Sequence, residues 1–223
     1  FVADGPLTET ASRRISELVP TLKVDGSCTF FKGGVFYRRR DFGFNINVAK
    51  KAAFLRENPD AIASRSARYL WERVKADSTE TFIYASCQNV DGTFNVLKRG
   101  VDGSLALVKA PAVQLENRSF EIIGEKFNSD MYANLLAPFR AQYSTRLSSG
   151  KVKTLTKHFL VEHGSLGCQG FDMVAFASDP YAYAAQYVAE RQIEGIVFWL
   201  DGRPAFKVHI GHFNLAKPPN YTL

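Results

Sequence analysis

Short runs of aromatic and β-branched residues recur along the chain, several of them closed by a Gly-Gly or Asp-Gly pair, and this commits it to sheet-forming hairpins. The clearest is a strand over 28–32, a turn at Gly33-Gly34 and a strand over 35–40. A second spans "EGIVFWLDGRPAFKVHIGHF", residues 194–213, and turns at Asp201-Gly202. Between them "TFIYASCQ" (81–88), "TFNVLKRG" (93–100), "SLALVKAPAVQ" (104–114), "RSFEIIGEKF" (118–127) and "LTKHFLVEHG" (155–164) read as further strands. Eighteen Phe and nine Tyr supply side chains suited to the core of such sheets.

Helices are expected at four places. "LTETASRRISELV" (7–19) opens on a Thr cap and puts Ile15, Leu18 and Val19 on one face. "NPDAIASRSARYLWERVKAD" (58–77) carries Pro59 in its first turn, and "SDMYANLLAPFRAQY" (129–143) breaks near Pro138. "DPYAYAAQYVAERQ" (179–192) is the fourth. With neither repeat nor linker, the expectation is a single α+β domain over 1–223, built of antiparallel sheets flanked by helices.

Charge narrows the partners. A net charge of +6 and a pI near 9.2 favour a polyanion, most simply a nucleic acid. The longest apolar run, Ile196 to Leu200, is too short to span a bilayer, so no membrane partner is expected. Cys28, Cys87 and Cys168 are odd in number and widely spaced, which fits neither a disulfide framework nor a zinc clamp. Together with the lack of a visible secretory signal, this points to a reducing intracellular compartment, cytoplasm or nucleus; a monomer is expected.

Lys23 is out of place in "TLKVDGSCTFF", because an apolar neighbourhood penalises its charged form. Either it snorkels at a strand end, or the fold needs an amine that loses its proton easily. Its companions decide. Arg39 follows in "FYRRRD", Glu121 in "FEIIG", Glu194 in "IEGIVF", and Lys207 with His209 in "FKVHIGHF", each in or beside an apolar strand. Strand alternation lets only some of Arg38, Arg39 and Arg40 face one pocket.

This series resembles the covalent nucleotidyltransferases, the ATP-dependent RNA and DNA ligases and the mRNA-capping enzymes. Their pattern is Lys-x-Asp-Gly, a strand Glu, Glu-Gly or Asp-Gly before apolar residues, then Lys-x-basic. The match runs from Lys23 to about Phe213. Glu194-Gly195 is the ligase form of the fourth motif. Too little chain follows Lys207 for the OB-fold that DNA ligases and capping enzymes append. "KVDGSC", "FEIIGEKFN", "HFLVEHG" and "KVHIGHF" are similar to the small single-domain 5′-to-3′ RNA ligases of animals and their relatives. Residues 42–115 do not follow that family, and Leu22 stands where it usually carries a charge.

The resemblance implies a nucleotidyltransferase (ATP-grasp-like) fold without an OB-fold, ATP with Mg²⁺ or Mn²⁺, and an RNA partner bearing 5′-phosphate and 3′-hydroxyl ends. Lys23 would be the nucleophile that takes AMP from ATP, a reaction that needs its neutral amine. Asp25 and Gly26 complete its motif. Arg39, chosen by its place in the family pattern, Lys207 and His209 would hold phosphates. Glu121 and Glu194 would hold the metal and the ribose, and Phe159 would lie against adenine. A DNA ligase or guanylyltransferase core is the nearest enzymatic alternative. A catalytically silent nucleic-acid-binding module is the alternative from another class.

The four histidines suggest a metal at first. In a strand, however, His209 and His212 would point to opposite faces, and no carboxylate or Cys completes a ligand set for either pair, so zinc is not expected.

Overall fold

Gly33 and Gly34 both take positive φ (58° and 76°), the conformation a two-residue hairpin turn demands. The strands they join, β2 (Ser27–Lys32) and β3 (Val35–Asp41), follow β1 (Val19–Leu22). In the computed structural model, which describes residues 14–43, 48–64, 68–75, 81–125, 131–139, 142–146 and 152–223, this hairpin is the middle of an eight-stranded sheet.

The other strands of that sheet are β4 (Ile62–Ala63), β5 (Tyr69–Arg73), β6 (Phe94–Arg99), β7 (Leu105–Ala110), β8 (Arg118–Ile123) and, after the separate β9 (Gln142–Arg146) and β10 (Val152–Thr156) ribbon, β11 (Phe159–Glu162). Its order is β4-β5-β3-β2-β8-β11-β6-β7, antiparallel except where β11 runs parallel to β6. A three-stranded sheet, β1-β12-β13, pairs β1 with β12 (Gly195–Leu200), which turns through Asp201 and Gly202 (φ 51° and 68°) into β13 (Arg203–His209). The architecture is mixed α+β, a large mixed sheet with helices around it. No helix among the described residues is long and apolar enough to cross a membrane.

The core is aromatic, as the Phe content implied. Phe31, Phe36 and Phe94 meet edge to face beneath the large sheet, at centroid separations of 4.9 to 5.5 Å. Phe176, Phe198 and Phe206 stack under the small sheet, against the helix Pro180–Arg191. Asp179 caps that helix by accepting from the Ala182 N–H at 3.1 Å, Pro180 opens it, and Gln192 ends it at φ 52°. Here sequence and structure agree.

Other segments depart from the sequence reading. Residues 58–77 are not a helix: they hold β4 and β5, while the helix lies earlier, at Val48–Glu57. Leu70 and Glu72 both point inward on β5, and Glu72 is buried because Arg38 Nε reaches it at 2.8 Å and Arg40 at 3.7 Å. An inward carboxylate erased the alternation that marks a strand. Residues 81–86 are a helix rather than a strand, since Tyr84 and Cys87, three apart, are both buried against the core. The β-propensity of Ile and Tyr yields there to packing. Residues 112–115 also turn helical after β7.

Among the described residues of the expected 7–19 helix, the helical part is a 3₁₀ turn, Ile15–Glu17. Val19 begins β1, and 7–13 lie outside the described residues. Residues 133–136 are helical and run on through Pro138 as 3₁₀, and β9 occupies 142–146. Leu155 and Thr156 belong to β10 and not to the strand that starts at Phe159. His212 is not in a strand at all: the chain curls into a 3₁₀ turn at Ile210–Phe213, and the rings of His209 and His212 face each other at 3.8 Å.

Candidate active site

The two sheets face one another across a cavity of about 700 Å³. From the small sheet and the strand ends it receives Lys23, Trp199 and Lys207. From the large sheet it receives Cys28, Phe30, Arg39, Trp71, Glu121 and His163. Strand alternation and register explain the second set. Cys28 lies opposite Glu121, Phe30 opposite Tyr37, and Arg39 opposite Trp71, so all share one face. Arg38 and Arg40 take the other face and clasp Glu72. Of the three arginines, Arg39 is the one that lines the cavity, its guanidinium 4.8 Å from the Tyr69 ring.

Lys23 leaves β1 at the point where its backbone N–H donates to Gly195 O at 2.9 Å. This contact brings the first and fourth motifs together, and the Lys23 ammonium donates to Glu194 Oε1 as an ion pair. The second oxygen, Glu194 Oε2, is buried with no hydrogen-bond partner among the described residues. Burial pushes the Glu194 carboxyl above its ordinary range, and Lys23 offsets only part of that.

Both motif glycines are explained by space. A Cβ on Gly26 would stand 2.3 Å from Ile122 O and 2.9 Å from Glu121 Cγ; one on Gly195 would stand 2.1 Å from Val208 O. The chain can pass so close only without a side chain. Asp25 holds its loop from behind: its N–H donates to the Tyr132 hydroxyl at 2.8 Å and its carboxylate meets Lys217 at 3.6 Å. It does not line the cavity.

Lys207 has a depressed pKa, from burial first and then from the positive charges of Lys23 and Arg39. Three cations thus converge where an oligophosphate could lie. His209 is a different case. Burial, followed by His212, Lys23 and Lys207, holds it down to about 4, so near neutrality it carries no charge. Its Nδ1 accepts from the Gly211 N–H at 3.2 Å, capping the 3₁₀ turn. The expected phosphate-holding cation is, in this state, a neutral cap.

Phe159 is also misplaced by the sequence reading. It is 1% exposed, packs against Phe139 at 6.5 Å and does not line the cavity. Aromatic surface in the cavity comes instead from Trp199 and from Phe30 stacked on Trp71 at 5.4 Å.

The expectation that no Cys or carboxylate joins a histidine is overturned at His163. Its Nε2 meets Glu121 Oε2 at 2.8 Å, its Nδ1 meets Ser119 Oγ at 2.9 Å, and Cys28 lies in the same cluster. Burial pushes the His163 imidazole down, but the Cys28 sulfur and Glu121 outweigh it and hold the ring up to about 10. Spacing in sequence could not reveal this group, because its members come from β2, β8 and the turn that follows β11. Comparison with protein-family models finds no match to this chain, and comparison with curated proteins finds none either.

Proposed function

We propose that the chain is an ATP-dependent nucleotidyltransferase of the RNA-ligase kind, with Lys23 as its nucleophile. One observation carries the reading: Lys23 stands at a cavity lined by Arg39, Lys207 and Glu121, and is paired to Glu194, whose other oxygen has no partner among the described residues. A structural strand-end lysine would need none of these neighbours.

The chemistry follows from the groups. Attack on the α-phosphorus by the neutral amine forms a P–N bond and expels pyrophosphate, leaving AMP on Lys23. The bound AMP then passes to an RNA 5′-phosphate, and a 3′-hydroxyl displaces it to form the phosphodiester. Arg39 and Lys207 would meet the charge on the non-bridging and departing oxygens. Glu194 Oε2 and Glu121 offer hard oxygen donors of the kind Mg²⁺ or Mn²⁺ takes, and such an ion supplies charge neutralisation at the phosphates. Glu194 also returns the amine to service: releasing Lys23 toward substrate frees both carboxylate oxygens for that role. Adenine would find the Trp199 or the Phe30–Trp71 surface in place of Phe159.

The test is incubation with α-labelled ATP or GTP, followed by denaturing electrophoresis. A covalent adduct with ATP that chases into ligated 5′-phosphate RNA is expected. Labelling by GTP with transfer to 5′-diphosphate RNA would make the chain a capping enzyme, and no adduct with either would leave the binding-module reading.

A further inference from the structure

Cys28, Glu121 and His163 offer one sulfur, one oxygen and one nitrogen donor, and these atoms lie within 4.8 Å of one another. Their scaffold is rigid. Cys28 faces Glu121 across the β2–β8 ladder, and Glu121 faces Val161 across β8–β11, two residues before His163. Ser119 grips His163 twice: its carbonyl accepts the His163 N–H at 3.1 Å, and its hydroxyl lies 2.9 Å from Nδ1. That leaves Nε2 aimed at the other two donors.

We propose that Cys28, Glu121 and His163 form a three-ligand site for a zinc-class ion, its fourth position open to the cavity. The donor set decides the metal. A thiolate and an imidazole suit Zn²⁺, whereas Mg²⁺ takes oxygen donors alone. Zinc–ligand bonds of roughly 2.0–2.3 Å put tetrahedral donors about 3.3–3.8 Å apart, within reach of small side-chain rotations from this arrangement. On the ion Cys28 binds as thiolate and His163 as neutral imidazole, any proton either carries passing to solvent. Thiolate, carboxylate and neutral imidazole balance its two charges, so the metal centre itself is neutral. With Nε2 on the metal, the Nδ1 hydrogen donates to Ser119 Oγ, the outer hydrogen bond that fixes a ligating histidine.

All three ligands line the cavity that also holds Lys23, so the open position faces the space assigned above to the nucleotide. Glu121 cannot serve both at once. Zinc therefore blocks ATP labelling, a consequence that rests on the proposed function, whereas the metal site does not.

Titration of the metal-free chain with Co²⁺ tests the site directly. A thiolate-to-cobalt charge-transfer band in the near ultraviolet and intense visible bands of a tetrahedral centre should appear, and one equivalent of Zn²⁺ should bleach both. Cys28→Ser and Cys28→Ala should each lose the charge-transfer band, His163→Ala should weaken binding at least tenfold, and Cys168→Ser should change nothing. No tetrahedral spectrum with the unmodified chain, or a charge-transfer band that survives in both Cys28 variants, overturns the proposal. In a labelling assay, Zn²⁺ should suppress the ATP adduct in the unmodified chain and spare it in Cys28→Ser. If no adduct ever forms, the nucleotide reading fails while the cobalt spectrum still decides the metal site.

Discussion

Lys23 and Glu194, 171 residues apart in the chain, form one ion pair in which a single carboxylate oxygen does all the bonding. The other oxygen is buried and has no partner among the described residues, and an unsatisfied buried acceptor costs about 1–3 kcal/mol. The resting site is therefore poised to gain from a ligand that reaches Glu194.

Removing the amine should remove the chemistry and little else. Lys23→Ala and Lys23→Arg are both expected to lose the ATP adduct entirely. Arginine keeps the charge beside Glu194 but cannot deprotonate at usable pH. Far-ultraviolet circular dichroism should stay native-like in Lys23→Arg. An adduct that persists in that variant would place the nucleophile elsewhere.

Lys207 should grip the phosphates. Lys207→Ala removes a cation facing the non-bridging and departing oxygens, so labelling at limiting ATP should fall tenfold or more. Saturating ATP should restore part of that loss. Labelling equal to that of the unmodified protein at limiting ATP would remove Lys207 from the site.

The glycines of both motifs make a stability prediction. Gly195→Ala forces a methyl to 2.1 Å from Val208 O, and Gly26→Ala to 2.3 Å from Ile122 O. Each should cost roughly 1–3 kcal/mol, as over-packing does, and lower the melting temperature by several degrees. A variant that melts like the parent would show that the strands can part at no cost.

Acid should weaken the fold through His209. Its folded pKa lies near 4 against an ordinary 6.5, so between those values the unfolded chain binds a proton that the folded one refuses. Stability then falls as pH drops from 6.5 toward 4. His209→Gln should flatten that part of the melting-temperature profile. Parallel profiles for the two proteins would rule the linkage out.

The residues singled out by the family resemblance come together in space: Lys23, Arg39, Glu121 and Lys207 line one cavity, and Glu194 bonds to the first of them. Hairpins announced by Gly33-Gly34 and Asp201-Gly202 were legible, because positive φ leaves a compositional mark. What stayed hidden depends on neighbours brought from far along the chain. Glu72 is tolerable inside only because Arg38 sits opposite, and a strand containing it looks amphipathic at the wrong period. Phe159 and His209 have the right chemistry for a nucleotide site, yet burial assigns one to the core and neutralises the other. Cys28 and His163 show no local pattern, since β8 stands between them.

The pairing of β1 with β12 also sets the order of events during synthesis. Lys23 leaves the ribosome 171 residues before its ion-pair partner, and the strand edge that holds it and Lys207 follow Glu194. Contacts so distant in sequence close late and slowly. A nascent chain halted before Glu194 thus carries Lys23 without the carboxylate that pairs with it, and this pocket closes only once the β12–β13 hairpin is made.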